Sequence, residues 1–145
     1  MKGPLPVVEV SYLVHSTEDA EKIAVAVSQV MGVRGVVTET SMDGHYGNRI
    51  ALVGSRADGE EAASILKRVS EIMPKALRAR LAEEMDDMVD EHSTLYLRFD
   101  KQALVLGRLE AGGNETVRVR VRPGGYLPRE NARDFHLRLL GGGSG

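Results

Sequence analysis

Val117-Arg118-Val119-Arg120-Val121-Arg122-Pro123 alternates without a break. In a strand, successive side chains point to opposite sides, so three valines share one face and three arginines the other. Arginines at every second position stand about 7 Å apart. The same parity runs through Leu95-Tyr96-Leu97-Arg98-Phe99-Asp100. Leu95, Leu97 and Phe99 fall together, and Tyr96 and Arg98 fall opposite them. A chain with two such segments folds around a sheet whose one face is apolar. The other face is turned to solvent or to a partner.

The remaining pattern places helices on the apolar face. Val7 to Val14 reads as a first strand. Ser16-Thr17-Glu18-Asp19 reads as a helix start, with Ala20, Ile23, Ala24, Val27 and Val30 at helical spacing and Gly32 as the stop. Val33 to Thr40 is a second strand, Asp43 to Asn48 a turn, and Arg49 to Val53 a third strand. Asp58-Gly59-Glu60-Glu61 reads as a capping box before Ala62, Ile65, Leu66, Val69 and Ile72. Pro74 opens a third helix along Leu77, Leu81, Met85 and Met88. Leu95 to Asp100 is a strand, Ala103 to Leu109 another, Gly112-Gly113-Asn114 a turn, and Thr116 to Arg122 the basic strand. Asn131 to Leu140 is a short terminal helix. The order β-α-β-β-α-α-β-β-β-α clusters its strands rather than alternating them with helices. It therefore predicts an α+β fold with a mixed, largely antiparallel sheet and helices packed on one face. Residues 1–140 form one such domain, and 141–145 a flexible Gly/Ser tail.

Composition narrows the function classes. The apolar fraction of 42% supports a core, and the absence of cysteine removes disulfides, thiolate metal sites and cysteine nucleophiles. No window reaches the roughly 18 apolar residues of a membrane span, and the chain reads as cytoplasmic. Net charge is only −2, but it is unevenly distributed. Residues 1–94 hold 10 Lys and Arg against 16 Asp and Glu, a balance of −6. Residues 95–145 hold 9 against 5, a balance of +4. Arginine outnumbers lysine 14 to 5, and its planar fork suits phosphate and stacking on bases.

Three constellations carry chemistry. The first is the arginine face. Arg118, Arg120 and Arg122, with Tyr96 and Arg98 on the neighbouring strand and Lys101 just beyond it, are the candidate RNA contacts. Single-stranded RNA is held by cations along the backbone and aromatic rings under the bases. The plainer alternative is a solvated strand face whose Arg stems cover apolar surface. The second is the acidic run Glu83, Glu84, Asp86, Asp87, Asp90 and Glu91, with His92 next to it and basic residues at the helix start. That polarity opposes the helix dipole, so a compensating contact is expected. Oxygen ligands suit Mg²⁺ or Ca²⁺, but no Asp-x-Asp-x-Asp-Gly loop is present, and no metal is assigned. The run could instead dock a basic partner or simply be solvated. The third is His45-Tyr46-Gly47-Asn48, either a small catalytic pair or a tight turn. No phosphate loop, Ser-His-Asp set or His-Glu-x-x-His motif appears, and no cofactor is implied.

The motifs Asp43-Gly44-His45-Tyr46-Gly47-Asn48 with Ile50, Leu95 to Ala103 with Gly107, and Val117 to Pro123 together resemble the archaeal predicted exosome-subunit family. These are small proteins described as RNA-binding. His15 and the acid-rich helix start after it also fit, and the resemblance spans roughly residues 7–123. It implies a fold similar to that of the large-subunit ribosomal protein that contacts 5S RNA, often in a homodimer. It also implies an accessory, non-enzymatic role in RNA processing or degradation, with RNA and exosome or ribosomal components as partners and no catalytic residues. The alternative function is a homodimeric protein–protein interaction module with no direct RNA contact.

Overall fold

The computed structural model describes residues 4–34, 37–43 and 49–140. Five strands form one sheet: β1 (Pro6–His15), β2 (Val37–Asp43), β3 (Arg49–Asp58), β4 (Leu95–Asp100) and β5 (Thr116–Pro123). Their spatial order is β2-β3-β1-β5-β4. Every pairing among them is antiparallel, so the parallel component allowed by a mixed sheet is not used. The helices are α1 (Ala20–Met31), α2 (Gly59–Ile72), α3 (Lys75–Met88), α4 (Lys101–Val105) and α5 (Ala132–Leu140). No helix among the described residues is long and apolar enough to cross a membrane.

Strand parity separates the two faces. Val8, Val10 and Tyr12 of β1, Leu95, Leu97 and Phe99 of β4, and Val117, Val119 and Val121 of β5 are all buried on the helix side. Helix α2 lies against β1 and β3, α3 against β4, and α5 against α2 and α3. The cluster joins the valines of β1 and β5 to Ile65, Leu66 and Val69 of α2, Leu77, Leu81 and Met85 of α3, and Leu140 of α5.

Local signals set several boundaries. Asp19 caps α1 by accepting from the Lys22 N–H, and Gly32 closes it at φ +78°. The expected capping box at 58–61 is not made, since Asp58 is extended at the N-cap position but its side chain accepts no cap hydrogen bond. The strand expected over Ala103 to Leu109 is also corrected. Asp100 accepts from the Ala103 N–H and starts the one-turn helix α4, which Gly107 follows at φ +86°. A short apolar run fits a buried helical turn as well as a buried strand, and here the cap decides. In the return to β5, Gly113 has φ +103°, and a Cβ there would overlap the Asp100 carboxyl.

The C-terminal segment supplies the compensation that α3 needs. Arg133 donates to the Ala82 carbonyl at 2.7 Å, and Arg129 donates to the Asp86 carbonyl at 2.7 Å. Arg129 braces the carbonyl end of α3, where its own sequence places acids, and Arg133 takes a carbonyl further back along the helix. Helix α3 also bends at Glu84. Buried His136 donates from Nε2 to the Ser93 carbonyl at 2.8 Å, which leaves Nδ1 without a partner among the described residues. Burial holds this imidazole below the ordinary histidine value.

Candidate nucleic-acid interface

The sheet face opposite the helices is open, and its residues line up across strands. Glu9 of β1 sits opposite both Arg56 of β3 and Arg120 of β5, and Arg120 sits opposite Tyr96 of β4. One step along the strands, Thr38, Gly54, Ser11, Arg118 and Arg98 form a parallel row. The small residues Ser11 and Gly54 floor a shallow depression of about 670 Å³ whose rim includes Arg56, Tyr96, Arg98 and Arg118. A second hollow of about 370 Å³, toward His15 and Glu115, shares Ser11 and Arg118 with it.

Five of the six sequence-derived contacts are on this face. Tyr96, Arg98, Arg118 and Arg120 are exposed, and Arg122 is half-buried. Their ion pairing differs. Arg120 donates to Glu9 at 2.6 Å, and Arg122 lies 3.6 Å from the same carboxylate oxygen. Burial pushes the Glu9 carboxyl up, but the Arg120 hydrogen bond and the charges of Arg120 and Arg122 outweigh it and hold the group below the ordinary glutamate value. Arg56, Arg98 and Arg118 have no acidic partner among the described residues. The face thus carries five guanidiniums and, at its centre, one carboxylate. Positive charge is left over after the internal pairing.

Tyr96 is 46% exposed, and its hydroxyl donates to Asp90 Oδ2 at 3.0 Å. That bond, followed by burial and the Asp90 charge, raises the phenol above its ordinary value, so it stays protonated. Asp90 is itself ordered. Burial pushes it up, but the Thr94 and His92 N–H groups and the Tyr96 hydroxyl pull it lower. The ring is therefore a fixed, half-exposed plate at the β4 edge of the face.

Lys101 is the correction among the sequence-derived residues. Its side chain is 1% exposed. Its Nζ donates to Leu13 O at 2.8 Å, Glu18 Oε1 at 2.8 Å and Glu115 Oε1 at 2.7 Å. An ammonium has three donors, and all three are used, so none is left for a phosphate. Burial alone would lower its pKa, but the hydrogen bonds to Glu115 and Glu18 more than reverse this and raise it. The charge belongs to a tie between the end of β1, the turn into α1 and the turn into β5.

His15, Glu18 and Glu115 bring three ligand-type atoms within 4.8 Å of one another, and Lys101 Nζ already holds the two carboxylates. The acidic run 83–91 forms no such grouping among the described residues. His45 and Tyr46 lie outside the described residues. Sequence reasoning overlooked Glu9, Ser11 and Arg56. The parity of Val8-Glu9-Val10-Ser11-Tyr12 already carried the signal for the first two, whereas Arg56 needed β3 to extend beyond Val53.

Known proteins share this arrangement of sheet and helices. A solved structure from Archaeoglobus fulgidus, of the family DUF54, superposes with a TM-score of 0.78 at 29% identity, covering 93% of this chain and 99% of that one. A DUF54 protein from Methanothermobacter thermautotrophicus gives 0.77 at 25%, covering 94% and 98%. A protein of Pyrococcus abyssi, named as RNA-binding, is 28% identical over 134 residues, 86% of each chain. The profile of a family described as RNA binding matches residues 7–122, a span that contains all five arginines of the open face. On that match, the chain belongs to the RNA-binding family.

Proposed function

We propose that the chain binds RNA on the open face of its sheet, through Tyr96, Arg98, Arg118, Arg120 and Arg122 together with Arg56. The observation that carries this reading is the surplus of guanidinium charge left on that face after Glu9 has taken its share. Phosphate contacts give affinity and register without base choice, and they weaken as counterions compete. Guanidiniums can hold a phosphate, and the Tyr96 ring, its hydroxyl engaged by Asp90, can stack on a base. They supply neither a nucleophile nor a proton acceptor near neutral pH, so the role is binding rather than catalysis. The family resemblance extends the reading to an accessory factor in RNA processing or degradation, with exosome or ribosomal components as partners. Co-purification of exosome subunits with a tagged chain from its own host, abolished by ribonuclease or not, tests that extension.

In a filter-binding titration, single-stranded RNA is expected to be retained at low ionic strength. Affinity should fall at least tenfold between 50 and 200 mM salt if three or more phosphates are neutralised. The Arg118/Arg120/Arg122→Ser variant should lose most of that retention. Equal retention by the variant, or none by the wild type at low salt, rejects the reading.

One observation favours a second reading, that the face closes on another copy of the chain. Leu13 and Leu52 sit opposite each other on the open face at 38% and 39% exposure, beside the arginines. Light scattering decides between the two, because a concentration-dependent dimer that RNA does not dissociate would put the face inside a protein contact.

A further inference from the structure

The RNA-binding reading leaves open where on the face a phosphate sits and which form of RNA fits. Arg98 and Arg118 face each other directly across β4 and β5. Like charges at such a cross-strand position repel, and opposite residues there stand only about 5 Å apart. No acidic side chain among the described residues relieves this pair, whereas its neighbours Arg120 and Arg122 share Glu9. The sheet thus holds two kinds of arginine within one step along a strand. One kind has an internal carboxylate, and the other lacks an anion. The unrelieved pair borders the depression floored by Ser11 and Gly54, and Tyr96 stands beside it with its hydroxyl anchored by Asp90.

Resting on the RNA-binding reading, we propose that Arg98 and Arg118 together clamp one phosphodiester of a single-stranded RNA. The sugar lies over the Ser11–Gly54 floor and the adjoining base is stacked on Tyr96. Two arginines whose Cβ atoms stand about 5 Å apart can bring both forks onto a single phosphate, and each fork offers paired donors to its oxygens. A duplex keeps its bases stacked inside and offers no free base face to a ring at the edge of a hollow. A single strand does. Glu9 occupies Arg120 and Arg122 as an internal anion, so these two help through the general field and not as the primary clamp.

Fluorescence anisotropy with a labelled oligo(U) 12-mer and a blunt RNA hairpin, each titrated across salt, tests this. Arg98, Arg118 and Tyr96 are exposed and Glu9 is half-buried, and the folding of every variant is checked by thermal melting. The wild type is expected to bind the 12-mer more tightly than the hairpin. Arg98→Gln/Arg118→Gln should lower 12-mer affinity by about 10- to 100-fold, as expected for lost charge-assisted hydrogen bonds. It should flatten the plot of log affinity against log salt by about 0.7, the value for one phosphate on a single strand. Tyr96→Leu should cost about tenfold with the slope unchanged, because stacking releases no counterions. Glu9→Gln should tighten binding a few-fold by freeing Arg120.

A slope change near 1.4 overturns the shared clamp, since each arginine would then hold its own phosphate. Wild-type affinity in the double variant overturns the location. Tighter binding to the hairpin overturns the single-stranded class. Absence of binding to either RNA by the wild type removes the RNA-binding reading itself, which these other outcomes leave standing.

Discussion

Replacing Lys101 by methionine is expected to lower folding stability by about 3 kcal/mol, the lower end of the range for breaking a buried ion pair by removing one partner. Methionine fills similar volume, so the loss is electrostatic and not a cavity effect. It would leave the Glu18 carboxylate, 19% exposed, with only the His15 N–H at 2.9 Å on its Oε1, and it would leave Leu13 O without its side-chain donor. Glu115 is half exposed and can regain water, which is why the lower end of the range applies. Urea unfolding of the two proteins measures the difference, and a loss under 1 kcal/mol would refute the account.

The pH dependence of stability gives the same claim a second readout. Burial pushes the Glu18 carboxyl up, but the His15 N–H and Lys101 outweigh it and hold the group below its ordinary 4.5. A depressed acid contributes fully above its unfolded value, and the contribution is lost as pH falls through the folded value. Lys101 is raised above its ordinary 10.5, so its contribution is complete below that value and is lost as pH rises through the folded one. The wild type should therefore show two shoulders from this tie, one below pH 4.5 and one above pH 10.5. Lys101→Met should erase the alkaline shoulder and weaken the acid one.

A chain ended at Pro128 is expected to lose its cooperative transition or to melt at least about 10 °C lower, although residues 129–145 lie outside the family match. Helix α5 buries Ala132, Phe135, His136 and Leu140. Full burial of Phe135 and Leu140 alone contributes roughly 3–6 kcal/mol, against a total of about 5–15 for a domain. The segment also carries polar ties. Arg78 and Ser70 both donate to the Leu140 carbonyl, and Arg129 and Arg133 brace α3. Calorimetry of the shortened chain checks this, and a transition within 3 °C of the full chain would show α5 to be dispensable.

Much of the site was legible in the sequence because strand parity is a local property. Val117 to Pro123 and Leu95 to Asp100 fix which side chains share a face wherever the strands end up, and the observed burial follows that parity. Lys101 was misplaced against that same parity. It continues the register of the buried Leu95, Leu97 and Phe99, and the helix that Asp100 caps keeps it inward. Apolar periodicity likewise located α1, α2 and α3, but the four-residue apolar run from Ala103 to Leu106 carried too little period to separate helix from strand.

What the sequence determined by itself was the existence of a two-faced sheet with valine on one side and arginine on the other. That outcome depends only on alternation along a single strand. What tertiary structure alone decided was which arginines are free. Placing β1 between β3 and β5 puts Glu9 opposite Arg120 and Arg56. Placing β4 against β5 sets Arg98 opposite Arg118 with no acid among the described residues to share. Electrostatic pairing depends on distances across strands far apart in the chain, and no local pattern encodes those distances.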